Sequence, residues 1–189
     1  FDLASGSMEV HRREAEPWRV TLVDTGETTA TGGRLRRVAH HLGEEPFCLT
    51  YGDGVGDVDI RALIAYHHSH GRLATVTAVQ PPGRYGSLRL GDASTTMDSD
   101  VVTGFSEKPP GDGDGNWINA GFFVLDPAVL DLIEGDDTVW EFEPLAELAH
   151  RGELRAWRHA GFWRAMDTLR DRTQLDELWG AGQAPWKLW

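Results

Sequence analysis

The sequence predicts an α/β fold built on a parallel sheet, and three observations carry that prediction. Up to residue 79, β-branched apolar runs alternate with amphipathic stretches in the order strand, helix, strand, helix, strand. Two of those runs, "PFCLTYGD" and "LATVTAV", are continuously apolar, as in strands covered on both faces. The 189 residues are 40% hydrophobic and include eight Trp, enough for the core of a single domain spanning residues 1–189.

Each element has a local reason. "SMEVHRR" and "WRVTLVDTG" read as strands. In "TGGRLRRVAHHLG", Leu35, Val38, Ala39 and Leu42 fall at i, i+3, i+4 and i+7, one face of a helix that Gly43 ends. "DVDIRALIAYHHSHG" places Ile60, Leu63, Ile64 and His67 on one helical face, with Gly71 as its stop. Beyond residue 79 the pattern changes. "PPGRYG" is a turn, and "SLRL" and "VVTGFSEKP" flank the polar tip "GDASTTMDSD" as a long hairpin. "WINAGFFVLDP" is a further strand. "PAVLDLIEG" and "EFEPLAELAHRG" read as helices, with Pro127 at a first helical position. "LRAWRHAGFWRAMD" reads as one or two strands and "TLRDRTQLDELWGAG" as a closing amphipathic helix. The aromatic tail "QAPWKLW" is expected to pack back on the body or on another subunit of a homo-oligomer.

Composition excludes several function classes. With 18 Lys+Arg against 30 Asp+Glu, the net charge is −12, and such a surface repels nucleic-acid backbones. The single Cys48 cannot form an intramolecular disulfide and fits a reducing compartment such as the cytoplasm. No run of about 18 apolar residues predicts a membrane span. The start, "FDLASGSMEV", has neither the pattern of a signal peptide nor an initiator Met, so the natural chain is expected to begin further upstream.

The chemistry centres on strand ends, where open α/β sheets bind their ligands. Asp53 closes an apolar run between Gly52 and Gly54, glycines that allow a sharp turn and leave room for a ligand. Its carboxylate could hold Mg²⁺ together with phosphate oxygens, or serve only as a turn residue capping the next helix. Asp167 closes "GFWRAMD" ahead of a helix. Alone it reads as a helix cap, but with Asp53 it could share one metal if the sheet brings the two together. Asp57 and Asp59 imitate a glycosyltransferase Asp-x-Asp site, yet acidic residues just before a helical periodicity suit a helix N-terminus better. "GDGDGNW" imitates a calcium loop but has Trp117 in place of the required Gly and Phe123 in place of the closing Glu. The histidines of "HHSH" lack supporting metal ligands. In "FSEKP", Lys108 is a candidate phosphate contact and Glu107 a candidate acceptor for sugar hydroxyls.

Taken together, "MEVHRREAEPWRVTLVDTG", "TGGRLRRV", "TYGDGVGDVDI", "PPGRYG", "FSEKPPGDG", "WINAGFFVLDP", "WEFEPLAELAHRGEL", "GFWRAMDTLRD" and "APWK" resemble the sugar-1-phosphate nucleotidylyltransferases, and within them the cytidylyltransferase branch. Order and most spacings match from about Met8 to the end. "GDASTTMDSDVVTG" is a few residues longer than the family's hairpin, a tolerated surface insertion.

The resemblance implies a Rossmann-like, mostly parallel but mixed sheet flanked by helices. It implies transfer of a cytidylyl group from CTP to glucose-1-phosphate with release of pyrophosphate, in lipopolysaccharide or dideoxysugar synthesis. It further implies that Asp53 and Asp167 hold Mg²⁺, that Lys108 contacts the sugar phosphate, and that Gly86, Glu107 and Asn119 line the sugar pocket. Gly33 and Arg34 sit where the family recognises the base. The family opens on a strand and a loop of the type Gly-Gly-x-Gly-Thr-Arg-Leu, followed by Lys-Pro, and nothing like it precedes "MEVHRR". The chain is therefore expected to be an N-terminally incomplete form, inactive alone. A non-catalytic sugar-nucleotide binder or subunit partner, and a glycosyltransferase using Asp57 and Asp59, are the competing expectations.

Overall fold

The computed structural model describes residues 18–80, 87–90, 102–106 and 117–187. Four strands form the main sheet: β1 (Phe47–Thr50), β3 (Ala74–Val79), β6 (Ile118–Leu125) and β7 (Leu154–Arg158), in the order β1-β6-β3-β7. β6 runs antiparallel to both β1 and β3, whereas β3 and β7 are parallel. Three strands thus share one direction and β6 opposes them. The expected α/β sheet is mixed, and the strands on either side of the Ile60 helix are not neighbours. The long apolar β6 separates them.

Alternate residues of β6 bury against the two layers that sandwich the sheet. Phe123 and Leu125 join Leu35, Ala74, Val129, Ile133, Trp140 and Leu148 in the larger core. That layer is supplied by α1 (Thr31–Val38), a 3₁₀ turn at Pro127–Leu132 and α3 (Glu143–His150). Val124 faces the other way, onto Val58 and Leu63 beneath α2 (Ile60–His70). α2 ends at Gly71, which adopts the left-handed conformation (φ 60°) suited to glycine. Two short ladders stand apart: β2 (Gly54–Gly56) with β8 (Trp163–Ala165), and the hairpin β4 (Ser87–Leu90) with β5 (Val102–Ser106). α4 (Leu169–Gly180) closes the chain, and Trp186 of the tail packs back on Phe162 with ring centres 5.4 Å apart.

Three expectations are corrected. β1 is not covered on both faces: Phe47 and Leu49 pack inward, while Cys48 and Thr50 on the opposite face are exposed. Residues 18–23 of "WRVTLVDTG" form no strand and expose Trp18, Val20 and Leu22, since no described strand runs beside them to complete a ladder. "PAVLDLIEG" forms a 3₁₀ turn rather than an α-helix. "SMEVHRR", "PPGRYG", the polar tip at 91–100 and the stretch 111–116 lie outside the described residues.

Two histidines of "HHSH", His67 and His70, are structural. His67 Nδ1 and His70 Nε2 converge on Thr75 Oγ1 at 2.9 and 2.8 Å, and Thr75 is fully buried in β3. Burial first, then neighbouring cationic or histidine rings, pulls both imidazoles below their ordinary pKa. The unfolded chain therefore takes up protons that the folded rings refuse once the pH falls below about 6.5, the ordinary histidine value. Stability is fully present above that value and is lost as the pH falls through it. The melting temperature should drop between about pH 7 and pH 5, and drop less in a His67→Gln variant. An equal acid slope in both proteins would rule this source out.

Candidate active site

The carboxyl ends of β1, β3 and β7 and the amino end of β6 share one edge of the sheet, as the pairings Thr50↔Phe122, Val79↔Ile118 and Ala78↔Arg158 require. Asp53 leaves β1 there and enters the β2–β8 ladder, in which Gly54 pairs with Ala165, Val55 with Arg164 and Gly56 with Trp163. The ladder runs one step further, with the Met166 N–H donating to the Asp53 carbonyl at 2.7 Å. Asp167 is the next residue. The ladder thus brings Asp53 and Asp167, both exposed, to the same end. Among the described residues neither side chain has a hydrogen-bond or ion-pair partner, and no group of three or more His, Cys, Asp or Glu could hold a metal alone.

Asp167 does not cap α4. Thr168 does, accepting from the Asp171 N–H while Asp171 reaches back to the Thr168 N–H, a reciprocal capping box. The chain turns at Gly52 and Asp53 as expected, but neither flanking glycine has a positive φ, and a Cβ on Gly52 would meet nothing within 4 Å.

Two tethers hold the ladder to the sheet. The Trp163 indole N–H donates to the Ala120 carbonyl at 2.9 Å. On the other side Asp57 Oδ1 lies 2.9 Å from His159 Nε2, and the His159 N–H donates to the Ala78 carbonyl at 2.8 Å. Asp59 caps α2, accepting from the Ala62 N–H at 3.0 Å. The Asp-x-Asp pair is therefore divided between an internal contact with His159 and a helix cap, which leaves the glycosyltransferase reading without its metal site.

Gly33 and Arg34 lie in the first turn of α1. The Gly32 and Gly33 N–H groups donate to the Thr138 carbonyl at 3.0 and 3.2 Å, and a Cβ on Gly33 would overlap the Asp136 carbonyl. Arg34 donates to Thr25 Oγ1 at 2.7 Å and to the Glu27 carbonyl at 3.1 Å. Both residues thus have internal tasks: one admits the 136–138 loop, the other fastens the 25–27 turn.

Asn119 lies at the start of β6, on the same sheet edge as the carboxyl ends of β1, β3 and β7. Its Nδ2 donates to the Tyr51 hydroxyl at 3.3 Å, and its Oδ1 accepts from the Gly121 N–H at 2.8 Å. Burial first, then the nearby Glu141 carboxylate, raises the pKa of the Tyr51 hydroxyl well above the ordinary value. Glu141 Oε2 accepts from Thr31 Oγ1 at 2.6 Å, and Thr31 accepts from the Trp140 N–H at 2.9 Å. Tyr51, Glu141 and Thr31 were not singled out by sequence reasoning, although they stand in "TYGDGVGDVDI", "WEFEPLAELAHRGEL" and "TGGRLRRV". Gly86, Glu107 and Lys108 lie outside the described residues. The edge thus offers a pair of carboxylates suited to a hard cation and, beside it, amide and hydroxyl groups suited to a hydroxylated ligand.

Residues 7–151 match the nucleotidyl transferase family. The chain is 54% identical over its whole length to a glucose-1-phosphate cytidylyltransferase of Salmonella typhi and covers 70% of that protein. It is 40% identical to a probable glucose-1-phosphate cytidylyltransferase of Bacillus subtilis, again over 70% of the relative. The fold is similar to that of HddC from Yersinia pseudotuberculosis, with a TM-score of 0.57 at 21% identity, over 81% of this chain and 64% of that one. Among the described residues no helix is long and apolar enough to cross a membrane.

Proposed function

The chain belongs to the nucleotidyl transferase family, and from that premise we propose that it serves the reaction CTP + glucose-1-phosphate to CDP-glucose + pyrophosphate. The observation that carries the proposal is the arrival of Asp53 and Asp167 at one end of the β2–β8 ladder. A phosphate oxygen of glucose-1-phosphate attacks the α-phosphorus of CTP, and the bond to the pyrophosphate oxygen breaks. The protein's part in such a displacement is positioning and charge neutralisation.

Two exposed carboxylates, with no third protein ligand among the described residues, fit Mg²⁺, which keeps much of its coordination for phosphate oxygens and water. Bound between Asp53 and Asp167, Mg²⁺ would neutralise charge on the phosphates. Lys108 is assigned to the phosphate of glucose-1-phosphate, and Gly86, Glu107 and Asn119 to its sugar. Gly33 and Arg34 are assigned to the base, in a helix turn already fixed by its contacts with residues 136–138 and 25–27. The assignments rest on the resemblance and, for Asn119, on its place at the ligand edge.

A triphosphate needs backbone N–H groups, basic side chains and a metal, and the polypeptide 1–189 carries a net charge of −12 and no Gly-Gly-x-Gly-Thr-Arg-Leu loop. Coupled pyrophosphate detection with CTP and glucose-1-phosphate should find no turnover by residues 1–189 alone. Turnover should appear when the family's Gly-rich loop segment is fused ahead of residue 1. A silent, folded fusion would overturn the assigned reaction. Turnover by 1–189 alone would show that these residues build a phosphate cradle of their own.

A further inference from the structure

The β2–β8 ladder does not specify its own register. Two of the three residues of β2 are glycines, and every residue of both strands is only half-buried. A short two-stranded ladder is marginal by itself, and Gly-rich strands without a buried face are prone to slip. What keeps Asp53 level with Met166, and so close to Asp167, has to come from outside the two strands.

His159 supplies it from the main sheet. Its backbone N–H donates to the Ala78 carbonyl at 2.8 Å, one residue past the Ala78↔Arg158 pair of β3 and β7. Its side chain turns to the ladder. Nε2 lies 3.2 Å from the Phe162 carbonyl and 2.9 Å from Asp57 Oδ1. A carbonyl and a carboxylate oxygen are both acceptors, so Nε2 carries a proton and donates to Phe162, with Asp57 Oδ1 beside it. The same Phe162 carbonyl accepts from the Asp57 N–H at 3.1 Å. One imidazole thus meets the residue after β2 and the residue before β8 where the ladder closes. The His159 side chain is only 10% exposed, and Gly161 makes room for it. A Cβ on Gly161 would lie 2.3 Å from Asp57 Oδ1 and 2.7 Å from His159 Cε1.

We propose that His159 is a positioning residue that pins the register of β2 against β8 and thereby preorganises Asp53 and Asp167 for a divalent cation. The role rests on the metal reading of those carboxylates given above. His159 stands at the opposite end of the ladder and touches neither cation nor substrate. Asp53 and Asp167 meet only while the three pairs between the two ends stay in step.

Two readouts on the full 189-residue chain test this without turnover. Hydrogen exchange at the Met166 N–H, which donates to the Asp53 carbonyl, reports the far end of the ladder. Titration with Mn²⁺ alone, followed by electron paramagnetic resonance, reports the carboxylates, and Asp53→Asn identifies the binding that belongs to them. His159→Leu should speed exchange at Met166 and weaken Mn²⁺ binding by about tenfold. His159→Gln, which can return an N–H to Phe162, should stay within about twofold of the parent. Gly161→Ala disturbs the same contact without altering the ring and should lose as much as His159→Leu. Should the leucine variant not fold, Gly161→Ala against His159→Gln decides. Unchanged exchange at Met166 overturns the pin. Faster exchange or a lower melting temperature with unchanged Mn²⁺ affinity overturns the positioning role in favour of a purely structural one. Equal losses in the Gln and Leu variants overturn the part given to Nε2–H. A parent chain that binds no Mn²⁺, or binds it as well after Asp53→Asn, instead overturns the metal reading, and the assigned role with it.

Discussion

Replacing either Asp53 or Asp167 by Asn is expected to cut turnover of the Gly-rich-loop fusion by about a hundredfold or more while leaving the fold intact. Both side chains are exposed and support no other described group, so their loss exposes no buried partner. What they lose is charge, at the point where negative phosphates must be gathered. Asn keeps the shape and one oxygen but no longer neutralises a cation. The same substitution at Asp57 should behave in the opposite way. Asp57 is half-buried with its carboxylate against His159, which is itself anchored to the Ala78 carbonyl, so Asp57→Asn should lower the melting temperature more than turnover. Steady-state rates and thermal melts on the three variants separate the cases. Equal losses of turnover at Asp57 and Asp53 would move the metal to the Asp-x-Asp pair.

The second large effect falls on stability. Gly121 lies in β6 with φ of 80°, and a Cβ there would sit 2.6 Å from the Tyr51 ring. Gly121→Ala therefore meets a backbone penalty of about 1–2 kcal/mol and, in addition, must push aside the ring that positions Asn119. The total should be about 2–4 kcal/mol, or a melting temperature lower by about 5–15 °C for a chain of this size. Gly71→Ala is the internal comparison. Gly71 also has a left-handed φ, of 60°, but a Cβ there meets nothing within 4 Å. It should cost only the backbone share. If the two variants melt alike, the contact with Tyr51 contributes nothing.

Why some of this was legible in the sequence and some was not follows from which interactions are local. Helices α1, α2, α3 and α4 could be read because apolar spacing, caps and terminal glycines lie within a few residues of one another. β3 was legible because both its faces are covered, so the whole run is apolar. β1 misled because an apolar composition does not reveal whether a neighbour covers the second face, and the position of a strand within a sheet is a long-range fact. Residues 18–23 misled in the same way, having the alternation of a strand without a described partner. Asp53 could be suspected from its strand end, but its meeting with Asp167 depends on a pairing across more than a hundred residues. Glu141 carried no local mark at all. Its partner, Thr31, is distant in the chain, and nothing in "WEFEPL" separates it from Glu143, which merely opens α3.

The β2–β8 ladder has one further consequence, for where the chain can change length. Surface connections ordinarily accept inserted or deleted residues at small cost. Here the spacing of two carboxylates is written in three cross-strand pairs and one added hydrogen bond. Gaining or losing one residue in β2 or β8 would slide one aspartate by about 3.3 Å against the other and turn it to the opposite face. Two segments with few buried side chains are thus as intolerant of a frame slip as a packed core strand. Among the described residues β4 and β5 pair only with each other, so a change of length between them alters no distance within the β2–β8 ladder.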